Sequence, residues 1–320
     1  MSAPGKVVVV VPFLDEEESL PVLYDRLRGV LEKEPEEFEV LLVDDGSLDG
    51  SSAWAAACAE RDPRVRLLSL SRNFGHQLAI TAGMDHADGD AVVIMDADLQ
   101  DPPEVIPELL RRWREGHEVV YAVRTSRHGE SWTKRLLAAT FYKTFQRMAS
   151  VDVPLDAGDF RLVDRQVIDA LKQVRELHRF VRGLTCWVGF SQSAVPYERA
   201  PRHAGATKYP VWKSARLAWD AITSFSSTPL RFMTVIGLFV SLAGLLQAVR
   251  VIVDRLLYPE SMERGWASVI AIMLFLGGVQ LISLGLIGQY VGRIFEESKK
   301  RPLYFVRKKV GRFPAGPAEG

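Results

Sequence analysis

The chain has 320 residues, of which 48% are hydrophobic, and its 40 basic and 40 acidic side chains cancel to a net charge of zero. This composition excludes a disordered chain, and the charge balance argues against a general nucleic-acid-binding protein, which needs a broad basic field. The charge is divided, however, because residues 1–130 hold 13 basic and 26 acidic side chains whereas residues 131–320 hold 27 and 14. A half that is both basic and apolar indicates a membrane surface. The two distant cysteines, Cys58 and Cys186, exclude a disulfide scaffold and a cysteine zinc cluster.

The apolar runs predict strands that alternate with helices over the first 125 residues. The predicted strands are Lys6–Pro12, Phe38–Val43, Val65–Leu70, Ala91–Met95 and Val119–Val123, and the predicted helices are Glu16–Leu31, Ser51–Glu60, His76–His86 and one from Pro102 to about Glu115. Such a pattern is typical of a Rossmann-like α/β domain with a mostly parallel sheet covered on both faces. Ligands of these sheets bind beyond the carboxyl ends of the strands. Neither GxGxxG nor GxxxxGK[ST] occurs, so a conventional dinucleotide-binding fold and a P-loop hydrolase are disfavoured.

Acidic side chains follow two of these predicted strands. Asp96 and Asp98, together with Gln100, come directly after the fourth strand. Oxygen ligands at this spacing suit Mg²⁺ or Mn²⁺, which would take further oxygens from a substrate phosphate. Asp44 and Asp45 follow the second strand, where they could accept hydrogen bonds from a base or a ribose. Solvated turn aspartates are the alternative explanation for both clusters.

Two long uncharged runs near the end of the chain, Phe232–Val249 and Trp266–Gly292, predict two transmembrane helices. The segment 293–320 has eight basic and three acidic residues. The positive-inside rule therefore predicts an integral protein of the inner or plasma membrane whose tail and N-terminal domain are cytoplasmic. The stretches 131–149 and 211–225 combine aromatic residues at helical spacing with basic residues, which predicts interfacial helices. Amphipathic core helices and a buried soluble hairpin are the alternatives.

An ordered set of short motifs runs through the whole chain. The motifs are VDDGS at 43–47, SRNFG at 71–75, DADLQDPP at 96–103, GDFRL at 158–162, GATKY at 205–209, GGVQL at 277–281 and GLIGQYVGR at 285–293. In this order they resemble the inverting family-two glycosyltransferases. The resemblance is closest to the polyisoprenyl-phosphate glycosyltransferases, of the dolichyl-phosphate mannose synthase and bacterial undecaprenyl-phosphate glucosyltransferase type, and it extends from Lys6 to about Val306.

The resemblance implies a GT-A-type fold, a nucleotide-sugar donor, a polyprenyl phosphate acceptor and a divalent metal, Mg²⁺ or Mn²⁺. It implies a catalytic base on the acceptor side at Asp159, for which a salt bridge to Arg161 or Arg165 is the alternative. A lipid phosphate is already anionic near pH 7, so we expect Asp159 to orient groups as much as to remove a proton. The implied nucleotide-sugar contacts are Pro12, Asp44, Asp45, Arg72, Asp96, Ala97 and Asp98, the metal ligands are Asp96, Asp98 and Gln100, and the phosphate or acceptor contacts are Arg124, Arg127, Arg135, Arg161 and Lys208. A surface ion pair is the alternative for Arg72.

These expectations divide the chain into four parts. Residues 1–130 form the nucleotide-sugar-binding part, 131–228 the acceptor-side part with interfacial helices, 229–293 the two transmembrane helices and 294–320 a basic cytoplasmic tail. The expected reaction is the inverting transfer of a hexose, with UDP-glucose as the first choice, to undecaprenyl or dolichyl phosphate.

Several alternatives stay open at this stage. The donor could instead be GDP-mannose, UDP-N-acetylglucosamine or an aminoarabinose nucleotide, and the chain could be a non-catalytic nucleotide-binding membrane scaffold or a soluble nucleotidyltransferase. The string Gln-x-x-Arg-Trp is absent, which argues against a processive polysaccharide synthase. Glycines in the second apolar run would let helices pack closely, which leaves a homo-oligomer open.

Overall fold

The computed structural model describes residues 5–125, 157–198, 228–257 and 266–314. Both predicted interfacial helices, and with them Arg127, Arg135 and Lys208, lie outside the described residues. The chain divides into two compact units. The described residues up to 198 and those from 302 onward belong to the first unit, and the described residues from 228 to 301 belong to the second.

An eight-stranded sheet forms the centre of the first unit. Its strands are β1 Lys6–Phe13, β2 Glu37–Asp44, β3 Val65–Leu70, β4 Ala91–Ile94, β5 Val119–Arg124, β6 Ala157–Asp164, β7 Gln192–Tyr197 and β8 Val306–Val310, in the spatial order β7-β5-β6-β4-β1-β2-β3-β8. The pairs β1–β2, β1–β4, β2–β3 and β5–β7 are parallel. Strand β6 runs antiparallel to β4 and β5, and β8 runs antiparallel to β3. The predicted α/β fold with a mostly parallel sheet is confirmed.

Helices cover both faces of this sheet. They are α1 Ser19–Leu31, α2 Ser51–Arg61, α3 His76–His86, α4 Ile106–Arg114 after a short 3-10 turn at Pro103–Val105, α5 Arg165–Gln173 and α6 Val181–Trp187. Successive side chains of β1 point to opposite faces. Val7, Val9 and Val11 enter the core beneath α1, α2 and α4, whereas Val8 and Val10 enter the core beneath α3, α5 and α6. The unbroken valine run is explained by these two cores, since a strand covered on both faces has no polar side.

The segment after the last helix contributes a strand to the first unit. Residues Val306–Val310 form β8 at the edge of the sheet, beside β3, with a register shift between Ser69 and Leu70. Part of the segment predicted as a basic tail therefore belongs to the sheet.

The described residues of the second unit form two long helices, α7 Thr228–Leu257 and α8 Trp266–Ser298, which contact each other. Among the described residues, one stretch, Phe275–Ser298, is long and apolar enough to cross a membrane, and almost none of it is buried. The apolar stretch Phe232–Gln247 is shorter. The structure thus contains one candidate span, and the second of the two predicted spans stays a prediction.

Candidate active site

The predicted acidic clusters lie at one edge of the sheet. Asp44 ends β2 and Asp96 comes two residues after β4, and these two strands flank β1 as parallel neighbours. The carboxyl ends of parallel strands meet at the same edge, so both clusters lie on the side where such sheets bind ligands. Pro12, near the end of β1, pairs with Val43 of β2 and lies between them.

Asp45 connects the end of β2 to the loop after β3 through hydrogen bonds. Its carboxylate accepts hydrogen bonds from the backbone N–H groups of Phe74, at 2.8 Å, and Gly75, at 3.0 Å. The neighbouring Asp44 accepts one from the N–H of Ser47 at 2.8 Å. Both carboxylates are almost fully buried. Burial raises the pKa of Asp45, and the charge of Asp44 adds to this effect, while the two loop N–H groups oppose it.

The turn after Asp45 requires glycine. Gly46 has a φ of +84°, and a Cβ there would lie 2.7 Å from the backbone C of Arg72 and the backbone N of Asn73. Across this contact, the guanidinium carbon of Arg72 lies 4.0 Å from the centre of the Phe74 ring, and Arg72 also donates to the carbonyl of Asn73. Within the described part of the chain, Arg72 therefore stacks on an aromatic ring and does not form the surface ion pair considered as its alternative.

Asp96 is surrounded by other acidic groups. Its Oδ1 atom lies 3.4 Å from Nε2 of His76. Burial raises the pKa of Asp96 to about 6, and the charges of Asp159, Asp101 and Asp98 contribute in the same direction, whereas His76 acts against them. A carboxylate in this position would be stabilised by a cation.

The loop that carries Asp98 has an unusual backbone. Leu99 adopts a φ of +61°, a left-handed conformation that is uncommon for a residue with a side chain. The side chain of Asp98 accepts a hydrogen bond from the N–H of Gln100 at 3.1 Å, and Ala97 and Leu99 are buried. The apolar residues of this loop thus face the core, while the polar residues alternate with them.

Asp159 of β6 is held by a bidentate pair. Nε of Arg182 donates to its Oδ1 at 2.7 Å, and Nη2 of Arg182 donates to its Oδ2 at 2.9 Å. Nε2 of His76 lies 3.2 Å from the same Oδ2, and Nε2 of Gln77 lies 3.4 Å from it. Burial alone would raise the pKa of Asp159, but the hydrogen bonds from Arg182 and His76 hold it well below its usual value. Asp159 is therefore ionised and a weak proton acceptor.

The predicted alternative partners of Asp159 are engaged elsewhere. Arg161 is 3% exposed and donates to the hydroxyl of Thr185 and to the carbonyl of Gly158. Burial lowers the pKa of Arg161 to about 10. Arg165 donates to the carbonyl of Gly89. Arg161, which the resemblance placed among the phosphate contacts, thus directs its charge into the protein.

A second polar network connects Arg124 to the acidic loop. Nε of Arg124 donates to the hydroxyl of Tyr197 at 3.3 Å, and this hydroxyl donates to Asp101, which is fully buried. Burial and the charge of Asp101 raise the pKa of Tyr197 to about 12. Arg124, at the end of β5, is thereby linked to the loop that contains Asp96 and Asp98.

The residues present fit a divalent cation that is shared with a ligand. Oδ1 of Asp96 is buried and accepts no hydrogen bond from a described residue. In the part of the chain that the structure describes, no group of three or more His, Cys, Asp or Glu side chains is placed to hold a metal ion. A cation at Asp96 and Asp98 would therefore complete its coordination with water and substrate phosphate oxygens, as Mg²⁺ commonly does.

Sequence reasoning missed several residues of this site. They are His76, Gln77, Asp101, Arg182 and Tyr197. His76 and Gln77 directly follow the SRNFG motif, and Asp101 lies within DADLQDPP. Their proximity to these motifs could have identified them as site residues. Arg182 and Tyr197 lie in segments without a recognisable motif, and only the packing of α6 and β7 brings them here.

Comparison with known proteins identifies the family of the chain. Residues 8–172 match the family model described as glycosyl transferase family 2, and residues 228–294 match the GtrB C-terminal hairpin. The chain is 48% identical to the uncharacterized glycosyltransferase YkcC of Bacillus subtilis, over 97% of this chain and 96% of that protein. It is 43% identical to the bactoprenol glucosyl transferase of Shigella phage SfV, over 95% and 99%.

Among solved structures, the chain resembles the mannosyltransferase PcManGT from Pyrobaculum calidifontis in complex with GDP-Man and Mn²⁺, with a TM-score of 0.47 and 16% identity over 92% of this chain and 88% of that one. This resemblance is too low to carry a conclusion about the donor or the metal of this chain.

Proposed function

The chain belongs to glycosyl transferase family 2 and is a glycosyltransferase, and from that premise we propose that it transfers a hexose from a nucleotide sugar to a polyprenyl phosphate. The family predicted from the sequence motifs is thus confirmed. A polyprenol-based acceptor is supported by a relative of nearly equal length that is named bactoprenol glucosyl transferase. The same name favours glucose, so UDP-glucose is the donor we propose first, ahead of GDP-mannose, UDP-N-acetylglucosamine and an aminoarabinose donor.

The observation that carries this proposal is the meeting of two carboxylates around one histidine. Nε2 of His76 lies 3.4 Å from Asp96, in the loop proposed to hold the donor diphosphate, and 3.2 Å from Asp159, the proposed acceptor-side residue. The proposed donor side and the proposed acceptor side would therefore be adjacent, as a direct transfer between two bound substrates requires.

In the proposed reaction an oxygen of the lipid phosphate attacks C1 of the sugar. The new C1–O bond forms as the bond between C1 and the donor phosphate oxygen breaks, the configuration inverts, and the nucleoside diphosphate leaves with the bonding electrons. A divalent cation held by Asp96 and Asp98, with Gln100 nearby, would stabilise the negative charge of that leaving group. Asp44, Asp45 and the backbone at Pro12 would form the nucleoside side of the site.

Asp159 acts in this scheme by orientation. Its pairing with Arg182 keeps it ionised at neutral pH, and the attacking phosphate is itself already anionic, so no proton has to be removed before attack. We propose that the charge of Asp159 fixes Arg182 and His76 beside the reacting groups. This agrees with the sequence-based expectation that its orienting role is as important as proton removal.

We also propose that the chain works at a membrane, where the acceptor tail stays in lipid. The candidate span Phe275–Ser298 and the match to the GtrB C-terminal hairpin support this part. The two-span topology with a cytoplasmic N-terminal domain belongs to the proposal, as do the acceptor contacts of Arg127, Arg135 and Lys208.

The test is a transfer assay with the full chain in detergent or nanodiscs. Undecaprenyl phosphate is supplied with radiolabelled UDP-glucose, GDP-mannose, UDP-N-acetylglucosamine or an aminoarabinose nucleotide in separate reactions, and the label that enters the organic phase is counted. We expect transfer from UDP-glucose that stops with EDTA and returns with Mg²⁺ or Mn²⁺. Reactions without lipid are the control. Binding of UDP or GDP without transfer from any donor would contradict the proposal and favour the scaffold alternative.

A further inference from the structure

The C-terminal segment 302–314 packs beside the loop that follows β3. The N–H of Ser71 donates to the carbonyl of Phe305 at 2.9 Å, next to the β3–β8 pairing at Leu70. The Phe305 ring lies 6.4 Å from the Phe74 ring, at an interplanar angle of 48°. The hydroxyl of Tyr304 donates to Asp85 of α3 at 2.9 Å. The segment is thus held by helix α3 just before Phe305 and by the sheet edge just after it.

The contact with Phe74 leads directly to the donor side of the site. One face of Phe74 carries the guanidinium of Arg72 at 4.0 Å, and its backbone N–H donates to Asp45 at 2.8 Å. The Phe74 ring is therefore in contact with both Phe305 and the guanidinium of Arg72. Each of these side chains limits the positions that its neighbour can adopt. Phe305 is itself 57% exposed, so its ring contributes little to the core and its main described aromatic contact is Phe74.

We infer that Phe305 is a positioning residue of the donor site, which acts through Phe74 to hold Arg72 and the Asp45-bound loop in their binding geometry. This inference rests on the proposed function, because it requires that the corner formed by Asp44, Asp45 and Arg72 receives the nucleotide. The physical reason is preorganisation. A loop whose aromatic side chain is packed from outside loses less conformational entropy when a nucleotide binds.

The same segment supplies a matched control. Phe313 packs against His86, with ring centres 6.2 Å apart, and lies 5.3 Å from the guanidinium carbon of Arg66. It therefore helps to dock the segment through contacts on α3 and β3 that are separate from the Arg72–Phe74 pair. Phe313→Ala removes an aromatic ring from the same segment but leaves the contact between Phe305 and Phe74 in place.

The experiment measures UDP and GDP affinity by calorimetry on the full-length chain in detergent, together with donor and lipid KM values. The free energy of one aromatic pair corresponds to a factor of about two to ten in affinity, so Phe305→Ala should weaken nucleotide binding by about two- to tenfold. The donor KM should rise by a similar factor while kcat and the KM for undecaprenyl phosphate stay unchanged. Phe305→Tyr, which keeps the ring, should restore wild-type affinity, and Phe313→Ala should leave affinity unchanged. Melting temperatures of all variants report on folding.

Two results would overturn the inference alone. One is that the wild-type chain binds UDP or GDP and that Phe305→Ala binds the same nucleotide with equal affinity. The other is an equal loss of affinity in Phe305→Ala and Phe313→Ala, which would mean that only general docking of the segment matters. A wild-type chain that binds neither nucleotide would overturn the proposed function, and the inference with it.

Discussion

Replacing Arg182 with methionine tests whether Asp159 depends on its guanidinium partner. Asp159 is 6% exposed, and the variant leaves this carboxylate with His76 and Gln77 as its remaining described side-chain donors. Removing one partner of a buried ion pair commonly costs about 3–5 kcal/mol. The side chain of Arg182 is 32% exposed, so solvent replaces part of the interaction, and we expect a loss of about 2–3 kcal/mol.

Thermal unfolding of the purified chain, followed by intrinsic fluorescence, measures this loss. For domains of roughly 150–250 residues each kcal/mol shifts Tm by about 2–4 °C, so Tm should fall by about 4–12 °C. Arg26→Met is the matched control, since Arg26 pairs with Glu104 where both side chains are exposed. Exposed pairs contribute about 0–1 kcal/mol, so this control should change Tm only slightly.

The pH dependence of this Tm difference distinguishes the electrostatic contribution of the Asp159–Arg182 pair from a loss of packing. The pKa of Asp159 in the folded protein is below its value in the unfolded chain, about 3.9. A group of this kind stabilises the fold at pH values above the unfolded pKa, and the contribution is lost as the pH falls through the folded pKa. The Tm difference between wild type and Arg182→Met should therefore be complete at neutral pH and shrink below about pH 4. Equal Tm values at pH 7, or a difference that persists undiminished in acid, would refute the electrostatic explanation.

Three further substitutions test other parts of the site, and a fourth serves as a control for the last of them. Asp98→Asn should lower kcat/KM by about 100-fold or more in transfer assays, because the variant loses an anionic metal ligand. It should also abolish the effect of Mn²⁺ on UDP binding in calorimetry. A metal response equal to that of wild type would contradict the assignment of Asp98 as a metal ligand. Tyr197→Phe removes a hydrogen bond to the buried Asp101 and should cost about 1–3 kcal/mol in thermal melts, whereas an unchanged Tm would show that the bond is not needed. Gly46→Ala combines backbone strain with overlap against the adjacent loop and should cost about 3 kcal/mol or more. Gly116→Ala, which has a positive φ but open space around its Cβ position, should cost only about 1–2 kcal/mol in the same melts, and equal losses would exclude the overlap.

The parallel part of the sheet could be predicted because its signals are local. The valine run of β1 and the apolar runs of β2 and β3 each fill two cores, so their composition alone marks them as buried strands. Helix α3 begins and ends where the sequence predicted, at His76 and His86. Strands β6, β7 and β8 were not predicted, since their neighbours are remote in the sequence and their pairing depends on tertiary contacts.

The partner of Asp159 shows where sequence spacing stops being informative. Asp159 and Arg161 are two residues apart on β6 and so lie on the same face of the strand, which made their pairing a reasonable alternative. The structure instead places α6 against this region, where Arg182 binds Asp159 and Thr185 binds Arg161. Spacing determines which side chains share a face, but it does not determine which element packs on that face.

The charge arrangement has a consequence for substrate binding. Asp96, Asp98, Asp101 and Asp159 bring negative charge to the place where two phosphorylated substrates are proposed to meet. Arg182 is paired with the carboxylate of Asp159, so its charge is already neutralised before any ligand arrives, whereas the buried Arg161 donates to neutral groups of Thr185 and Gly158. We therefore expect the positive charge that complements the substrates to come from Arg72 on the donor side, from a divalent cation that enters with the donor, and from basic residues such as those predicted on the acceptor side. A cation bound jointly by Asp96, Asp98 and the diphosphate would couple donor and metal affinity reciprocally, because linked equilibria change each other by the same factor.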